Sequence, residues 1–203
     1  MTKTCSPDPS SLPGSCATPK RFVFYLIRHA HATWTPDEER PLSAQGMRAA
    51  IGVANALCAM PISRIVSSPY RRAVQTVQPL ADRLDLAVEI EYDLRERSLG
   101  KPEPGTGFIS AVEATWSDPS FVHPGGESNE TAQKRALAVV ERLLGVRTGS
   151  HIALSTHGNL LALVVQHFDR RVGFDFWRAL SMPDIFALRV DEGRVSLNRL
   201  WYG

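Results

Sequence analysis

An unbroken apolar run, Phe22-Val23-Phe24-Tyr25-Leu26-Ile27, ends abruptly in Arg28-His29, and this stretch constrains the fold more than any other. Six consecutive aliphatic and aromatic residues without alternation read as a strand buried on both faces, the pattern of a parallel sheet covered by helices. Two basic side chains at its end then lie where the sheet meets solvent, the place at which α/β proteins bind ligands.

Two later stretches repeat the same logic. Arg64-Ile65-Val66-Ser67 leads through Ser68-Pro69 into a helical pattern that opens with Arg71 and Arg72, and His151-Ile152-Ala153-Leu154-Ser155 leads through Thr156-His157 to Gly158-Asn159. Each is a short strand, a small-residue turn and a helix whose first turn holds a cation. A helix N-terminus already carries about half a positive charge, so Arg72 and His157 would build anion sites there. Ser68 is expected as the N-cap of the second helix, with Pro69 at its first position. Successive βα units predict right-handed crossovers and a three-layer α/β/α sandwich around a mostly parallel sheet.

Ser43 reads as the N-cap of the first helix, with Leu42 stapling to Met47 and an inward stripe of Met47, Ile51, Ala54, Leu57 and Cys58. Pro79 is expected to kink the second helix. From Leu94 to Pro124 the regular pattern fails; Gly100, Pro102, Pro104, Gly105 and Gly107 surround a short helical piece near Phe108 to Trp116. Residues 100–124 are therefore expected as an insert over the pocket, where Phe108, Ile109, Trp116, Phe121 and Pro124 either form an apolar wall or seat the insert on the domain. A helix follows from Ser128 to Gly145, and the chain finishes with a helix over 158–168 and two strands around residues 191–194. Phe174-Asp175-Phe176-Trp177 fits either a core or an interface, and a homodimer is compatible with it.

Residues 1–20, with four prolines among Ser, Thr and Gly, bury too little apolar surface to offset the entropy of ordering and read as a tail; residues 21–203 read as one domain. A net charge of +2 on 203 residues, with no basic run interleaved with aromatics, argues against nucleic acid or a membrane surface as partner. No stretch reaches the about 18 apolar residues of a membrane span, so the cytoplasm is the expected compartment. The three cysteines lack metal-like spacing, and a disulfide scaffold is not expected.

Arg28, His29, Arg72 and His157 would together set two guanidinium forks and two imidazoles around a small space, a combination suited to a tetrahedral dianion. A neutral imidazole fixed at one ring nitrogen can attack phosphorus with the other. These residues carry a resemblance. Leu26-Ile27-Arg28-His29-Ala30, Ser67 to Thr76, Leu94-Arg95-Glu96-Arg97, Pro124-Gly125-Gly126-Glu127-Ser128 and Thr156-His157-Gly158-Asn159 together resemble the histidine phosphatase superfamily, which includes phosphoglycerate mutases and small phosphatases. The resemblance implies a phosphoglycerate mutase-like fold, a phosphohistidine at His29, phosphate contacts from Arg28, Arg72 and His157, and a proton donor at Glu96. It implies no cofactor and a small phosphorylated substrate. Glu127 is expected to brace the basic cluster or the following helix.

The loop after His29 departs from the commonest pattern. Ala30 replaces a usual glycine, and Thr35 stands where an asparagine often touches phosphate, its hydroxyl still able to donate. His31, Trp34, Phe108 and His123 are candidate pocket-rim residues. A metal shell of His29, His31, His123, His157 and Glu96 is a rival arrangement, disfavoured because two arginines aimed at one point repel a divalent cation. Phosphoryl transfer within one substrate uses the same groups, but the short insert favours hydrolysis. A non-catalytic module that binds a phosphorylated ligand is the rival from a different class.

Overall fold

The computed structural model describes residues 21–33, 35, 39–145, 151–191 and 194–201. The expected tail, Trp34 and the tip of the last turn, Glu192-Gly193, lie outside the described residues. Six strands form one sheet: β1 (Arg21–Arg28), β2 (Arg64–Ser67), β3 (Val88–Ile90), β4 (His151–Thr156), β5 (Asp184–Asp191) and β6 (Arg194–Arg199). Their spatial order is β3-β2-β4-β1-β5-β6. The first four strands in that order run parallel, while β5 is antiparallel to both β1 and β6.

Successive residues of a strand face opposite sides of its sheet, and β1 divides its apolar run accordingly. Phe22, Phe24 and Leu26 join one core, with residues of α4 (Asn129–Leu144) and α5 (Gly158–Phe168). Tyr25 and Ile27 join the other, with residues of α1 (Ala44–Leu57) and α2 (Arg71–Leu84). Phe24, Ile27, Ile65 and Leu154 have no measurable exposure, and each such side chain contributes roughly 1.5–3 kcal/mol relative to an exposed one. The three-layer expectation holds because β1 is apolar on both faces.

Several local expectations shift by a residue or two. Ser43 does cap α1, accepting from the Gly46 N–H at 3.1 Å. The inward face, however, is Gly46, Ala50, Val53, Ala54 and Leu57, leaving Met47 and Ile51 about half exposed. The rotation follows from Gly46, whose Cα lies so close to the His31 carbonyl that an added Cβ would sit 2.0 Å from its oxygen. Cys58 lies just past the helix and is exposed. Helix α2 begins at Arg71 with Tyr70 as its cap residue, not at Ser68 and Pro69; the Ser68 hydroxyl meets His157 and accepts from the Tyr70 N–H ahead of the helix. It runs through Pro79 to Leu84 as one helix.

Ser128, where a helix is expected to start, caps α4, and the insert contains α3 (Phe108–Ser117). The insert leaves and rejoins the domain through a narrow neck: Lys101 N–H donates to Pro124 O at 2.9 Å and Glu127 N–H to Ser98 O at 2.8 Å. Gly100, at φ +78°, and Gly126 sit within this neck, where an added Cβ would come within 2.7 Å of opposing backbone oxygens. Helix α6 (Phe174–Arg178) buries Trp177 and packs the partly buried Phe174 and Phe176 against the larger core, while Asp175 and Arg178 are exposed. No helix among the described residues is long and apolar enough to cross a membrane.

Candidate active site

The carboxyl ends of β1, β2 and β4 are tied together just beyond the sheet. His29 N–H donates to Thr156 O at 3.0 Å, and Ser68 N–H donates to Ser155 O at 2.9 Å. This register brings the three basic turns to one point. The His29 and His157 rings meet edge to face with centroids 5.1 Å apart, and Arg72 Nε donates to His29 Nε2 at 3.3 Å. Arg28 and Arg72 line the same cavity of about 240 Å³ as His29.

His29 is 8% exposed and its tautomer follows from its partners. Nδ1 lies 2.7 Å from the Ala30 carbonyl, which can only accept, so Nδ1 carries the proton and Nε2 keeps a lone pair. Burial, against a weaker opposing pull from the Ala30 carbonyl and with help from the nearby Arg72, Arg28 and Arg40 cations, pushes this imidazole down to about 3. It is neutral at any ordinary pH. An imidazole so fixed presents its unprotonated nitrogen to the cavity beside a guanidinium, the arrangement of a poised nucleophile.

His157 is fully buried and is not among the cavity-lining residues. Its Nε2 lies 2.8 Å from Ser68 Oγ, and Tyr70 packs edge-on against its other side with centroids 5.0 Å apart. Burial, then the neighbouring His29 and Arg72, holds it well below the usual imidazole range. Its Nδ1 is buried without a partner among the described residues. Arg28 donates through Nη1 to Leu180 O at 2.8 Å, while its Nε is likewise buried and unpartnered. Gly158 makes room for this guanidinium: a Cβ there would lie 3.0 Å from Arg28 Nε.

Glu96 lines both the cavity and the wider cleft of about 840 Å³ into which it opens. Its Oε2 accepts from Asn159 N–H at 3.0 Å, and its Oε1 accepts from Leu160 N–H at 3.0 Å and Arg97 N–H at 2.9 Å. The carboxylate thus also serves the open end of α5, whose first N–H groups have no partner within the helix. The loop that carries it is clamped from behind. Arg135 of α4 holds Glu127 in a two-point ion pair at 2.8 Å and also donates to the carbonyls of Asp93 and Arg95. Glu127 therefore braces the following helix against the loop bearing Glu96, as expected, and its charge also reaches Arg97.

The remaining candidates separate. Thr35 lines the wide cleft, where its carbonyl accepts from Arg40. Ala30 is fully buried with Leu42 and Ala50, so its methyl fills a small core and does not crowd the cavity. His31 corrects one rim expectation: it is exposed, bonds Ser43 Oγ at 2.8 Å beside α1 and lines neither space. His123 corrects another, because it is buried within the insert, 2.9 Å from the Ala111 carbonyl, where it ties α3 to the returning chain. Phe108 lines both spaces and Pro124 the cleft, whereas Trp116 seats the insert by donating to Asn159 Oδ1 at 3.0 Å. Among the described residues no three His, Cys, Asp or Glu side chains converge as a metal shell.

Two cations that no motif assigned a role join the site. Arg97 is 5% exposed, lines both spaces and leaves Nε and Nη1 without a partner among the described residues. Burial lowers its pKa, offset in part by the charges of Glu96 and Glu127. Arg40 lines both spaces as well. The narrow cavity is thereby lined by four arginines, Arg28, Arg40, Arg72 and Arg97, against the single carboxylate of Glu96. No sequence period singles out Arg97: it stands two residues from the more exposed Arg95, and extended backbone would turn both the same way.

This arrangement of two imidazoles and converging guanidinium groups on a mostly parallel sheet defines a phosphate-handling α/β protein. The family model for the histidine phosphatase superfamily (branch 1) matches residues 24–201, and the chain belongs to that superfamily. The chain is 26% identical over 183 residues to a probable phosphoglycerate mutase, GpmB, of Salmonella typhi, a match covering 82% of this chain and 83% of the relative. It is 32% identical over 123 residues, 61% of its length, to agropine synthesis reductase of Rhizobium rhizogenes, of which the match spans only 26%. A mycobacterial glucosyl-3-phosphoglycerate phosphatase, solved with inorganic phosphate, shares the fold at TM-score 0.71 and 24% identity, over 89% of this chain and 95% of that one.

Proposed function

We propose that this protein is a phosphatase that hydrolyses monophosphate esters of small metabolites bearing a second anionic group. The observation that carries the reading is the neutral His29, with its Nε2 lone pair turned to Arg72 in a cavity shared with Arg28. In the first half-reaction Nε2 attacks phosphorus and the ester P–O bond breaks. The leaving oxygen takes a proton from Glu96, whose Oε2 accepts only one backbone N–H and so has a lone pair on which that proton can ride. In the second, Glu96 removes a proton from water as the water oxygen attacks phosphorus; the N–P bond breaks, releasing phosphate and regenerating His29.

Arg28 Nε and His157 Nδ1, buried donors without a partner among the described residues, and Arg72, which lines the cavity, would donate to the phosphoryl oxygens, which gather charge in the transition state. A phosphoryl dianion offsets two of the four lining arginines. Arg97 with Arg40, and Lys101 further out in the cleft, leave positive charge over for the leaving group. A carboxylate or second phosphate would answer it, as the names of the glycerate-type relatives also suggest. The deciding assay is a panel of phosphate esters, each with and without a chelator, scored by phosphate release. Preference for esters with a second anion, undiminished by chelator and abolished in His29→Ala together with acid-labile labelling, is the expected result. Labelled protein with no release of phosphate would point to the second reading, transfer between positions of one substrate, which the mutase-named relatives favour.

A further inference from the structure

We infer that Arg199, at the end of the edge strand β6, is a positioning residue for phosphate binding: by occupying Asp184 it keeps that buried carboxylate from capturing Arg28. Asp184 opens β5 and pairs in register with Arg28, the last residue of β1. Its side chain is wholly buried, whereas that of Arg199 is 39% exposed. Arg199 grips it at two points, Nε to Oδ1 at 2.9 Å and Nη2 to Oδ2 at 2.6 Å. The backbone N–H groups of Ser181 and Ile185 complete its shell at 2.9 and 3.0 Å.

The same cluster sets the carbonyl that aims Arg28. Ser181 donates through Oγ to Pro183 O at 2.7 Å and receives Arg199 Nη2 at 3.2 Å, which pins the turn immediately after Leu180. The Leu180 carbonyl in turn accepts from Arg28 Nη1 at 2.8 Å, leaving Nε buried and unspent. Asp184 and Glu96 are the two carboxylates whose fields reach the Arg28 guanidinium. With Arg199 removed, Asp184 becomes a buried charge lacking its fork, and Arg28 is the cation in register with it. A guanidinium drawn to Asp184 is lost to the phosphoryl group.

The inference rests on the phosphatase reading, and the test separates the two. Inhibition by inorganic phosphate, with kcat and KM for p-nitrophenyl phosphate, is measured for the full chain and for Arg199→Met, Arg199→Lys and the pair Arg199→Met with Asp184→Asn. Arg199→Met should weaken phosphate and raise KM by about tenfold, because only part of the cost of stranding one partner of a buried charge pair falls on Arg28. Arg199→Lys should recover part of the loss. The double variant should return to within about threefold of the parent, since no stranded carboxylate then competes for Arg28. Should Arg199→Met fail to fold, Arg199→Lys and the double variant carry the comparison. Lowered thermal stability with unchanged phosphate inhibition, or a double variant as weak in phosphate binding as the single, overturns the positioning role. An unmodified chain that neither binds phosphate nor cleaves the ester would instead remove the phosphatase reading.

Discussion

Arg72 Nε points at His29 Nε2 across 3.3 Å, so the guanidinium shares its donor with the very lone pair that must reach phosphorus in the proposed reaction. The Arg72 guanidinium also lies 4.6 Å from the centre of the Tyr70 ring, which fixes its plane. This contact holds the nucleophile in one orientation before substrate arrives, and it must loosen as the donor turns to a phosphoryl oxygen. Arg72→Lys keeps the charge but not the planar fork. We expect kcat/KM to fall by about 10²–10³, the cost of losing one transition-state donor. Steady-state kinetics on any accepted ester would show it; a fall under about threefold would mean the fork is dispensable.

Glu96→Gln should act twice. The amide cannot hold a proton for the leaving oxygen, so esters with poor leaving groups should slow far more than p-nitrophenyl phosphate. It also replaces one acceptor oxygen with an NH₂ group facing the N–H donors of Asn159, Leu160 or Arg97. A helix-end acceptor contributes about 1 kcal/mol, so the thermal midpoint should drop by a few degrees. Equal slowing of good and poor leaving groups would assign Glu96 to the helix end alone.

Stability should fall as pH falls below neutrality. His29 is displaced downward to about 3 and His157 well below its ordinary value, in both cases chiefly by burial. Between the folded values and about 6.5 the unfolded chain binds more protons than the native one, so acidification favours unfolding. The contribution is complete above about pH 6.5 and is lost progressively toward the folded values, with a slope of at most about 1.4 kcal/mol per pH unit for each histidine. Denaturant midpoints between about pH 5 and 6.5, above the range in which ordinary carboxylates titrate, isolate the effect. His29→Gln should flatten the slope, and a flat parent profile would refute the assignment.

Arg97→Met removes a buried cation whose Nε and Nη1 make no hydrogen bond among the described residues, although its charge faces Glu96 and Glu127. Phosphate release from p-nitrophenyl phosphate should change by less than about threefold, while an ester bearing a carboxylate should lose about tenfold or more in kcat/KM, the worth of a charge-assisted hydrogen bond. Equal losses on both would place Arg97 against the phosphoryl group itself.

The cluster was legible where it coincides with strand ends. Arg28, His29, Arg72 and His157 stand out because each follows an apolar run, and parallel pairing leaves such residues only one edge to occupy. Side-chain direction within loops carries no period, which is why His31 and His123 look like rim residues but bond instead to Ser43 and to the Ala111 carbonyl. The α1 face was misplaced for a related reason. Met47 and Ile51 fit an apolar stripe, but the contact that orients the helix is the close approach of Gly46 to the His31 backbone, which no hydrophobic pattern encodes. Arg199 is invisible in the same way, because its worth depends on Asp184 fifteen positions earlier and on Arg28 across the sheet.

The neck at Ser98, Lys101, Pro124 and Glu127 has a consequence for how such a protein can diversify. Because the excursion departs and returns at a single pinch, its length and wording can change wherever they spare the seats that Val112, Thr115 and Trp116 make on the domain. The roof is in that sense an exchangeable cassette, and swapping it between homologues is a direct route to new substrate choice on unaltered chemistry.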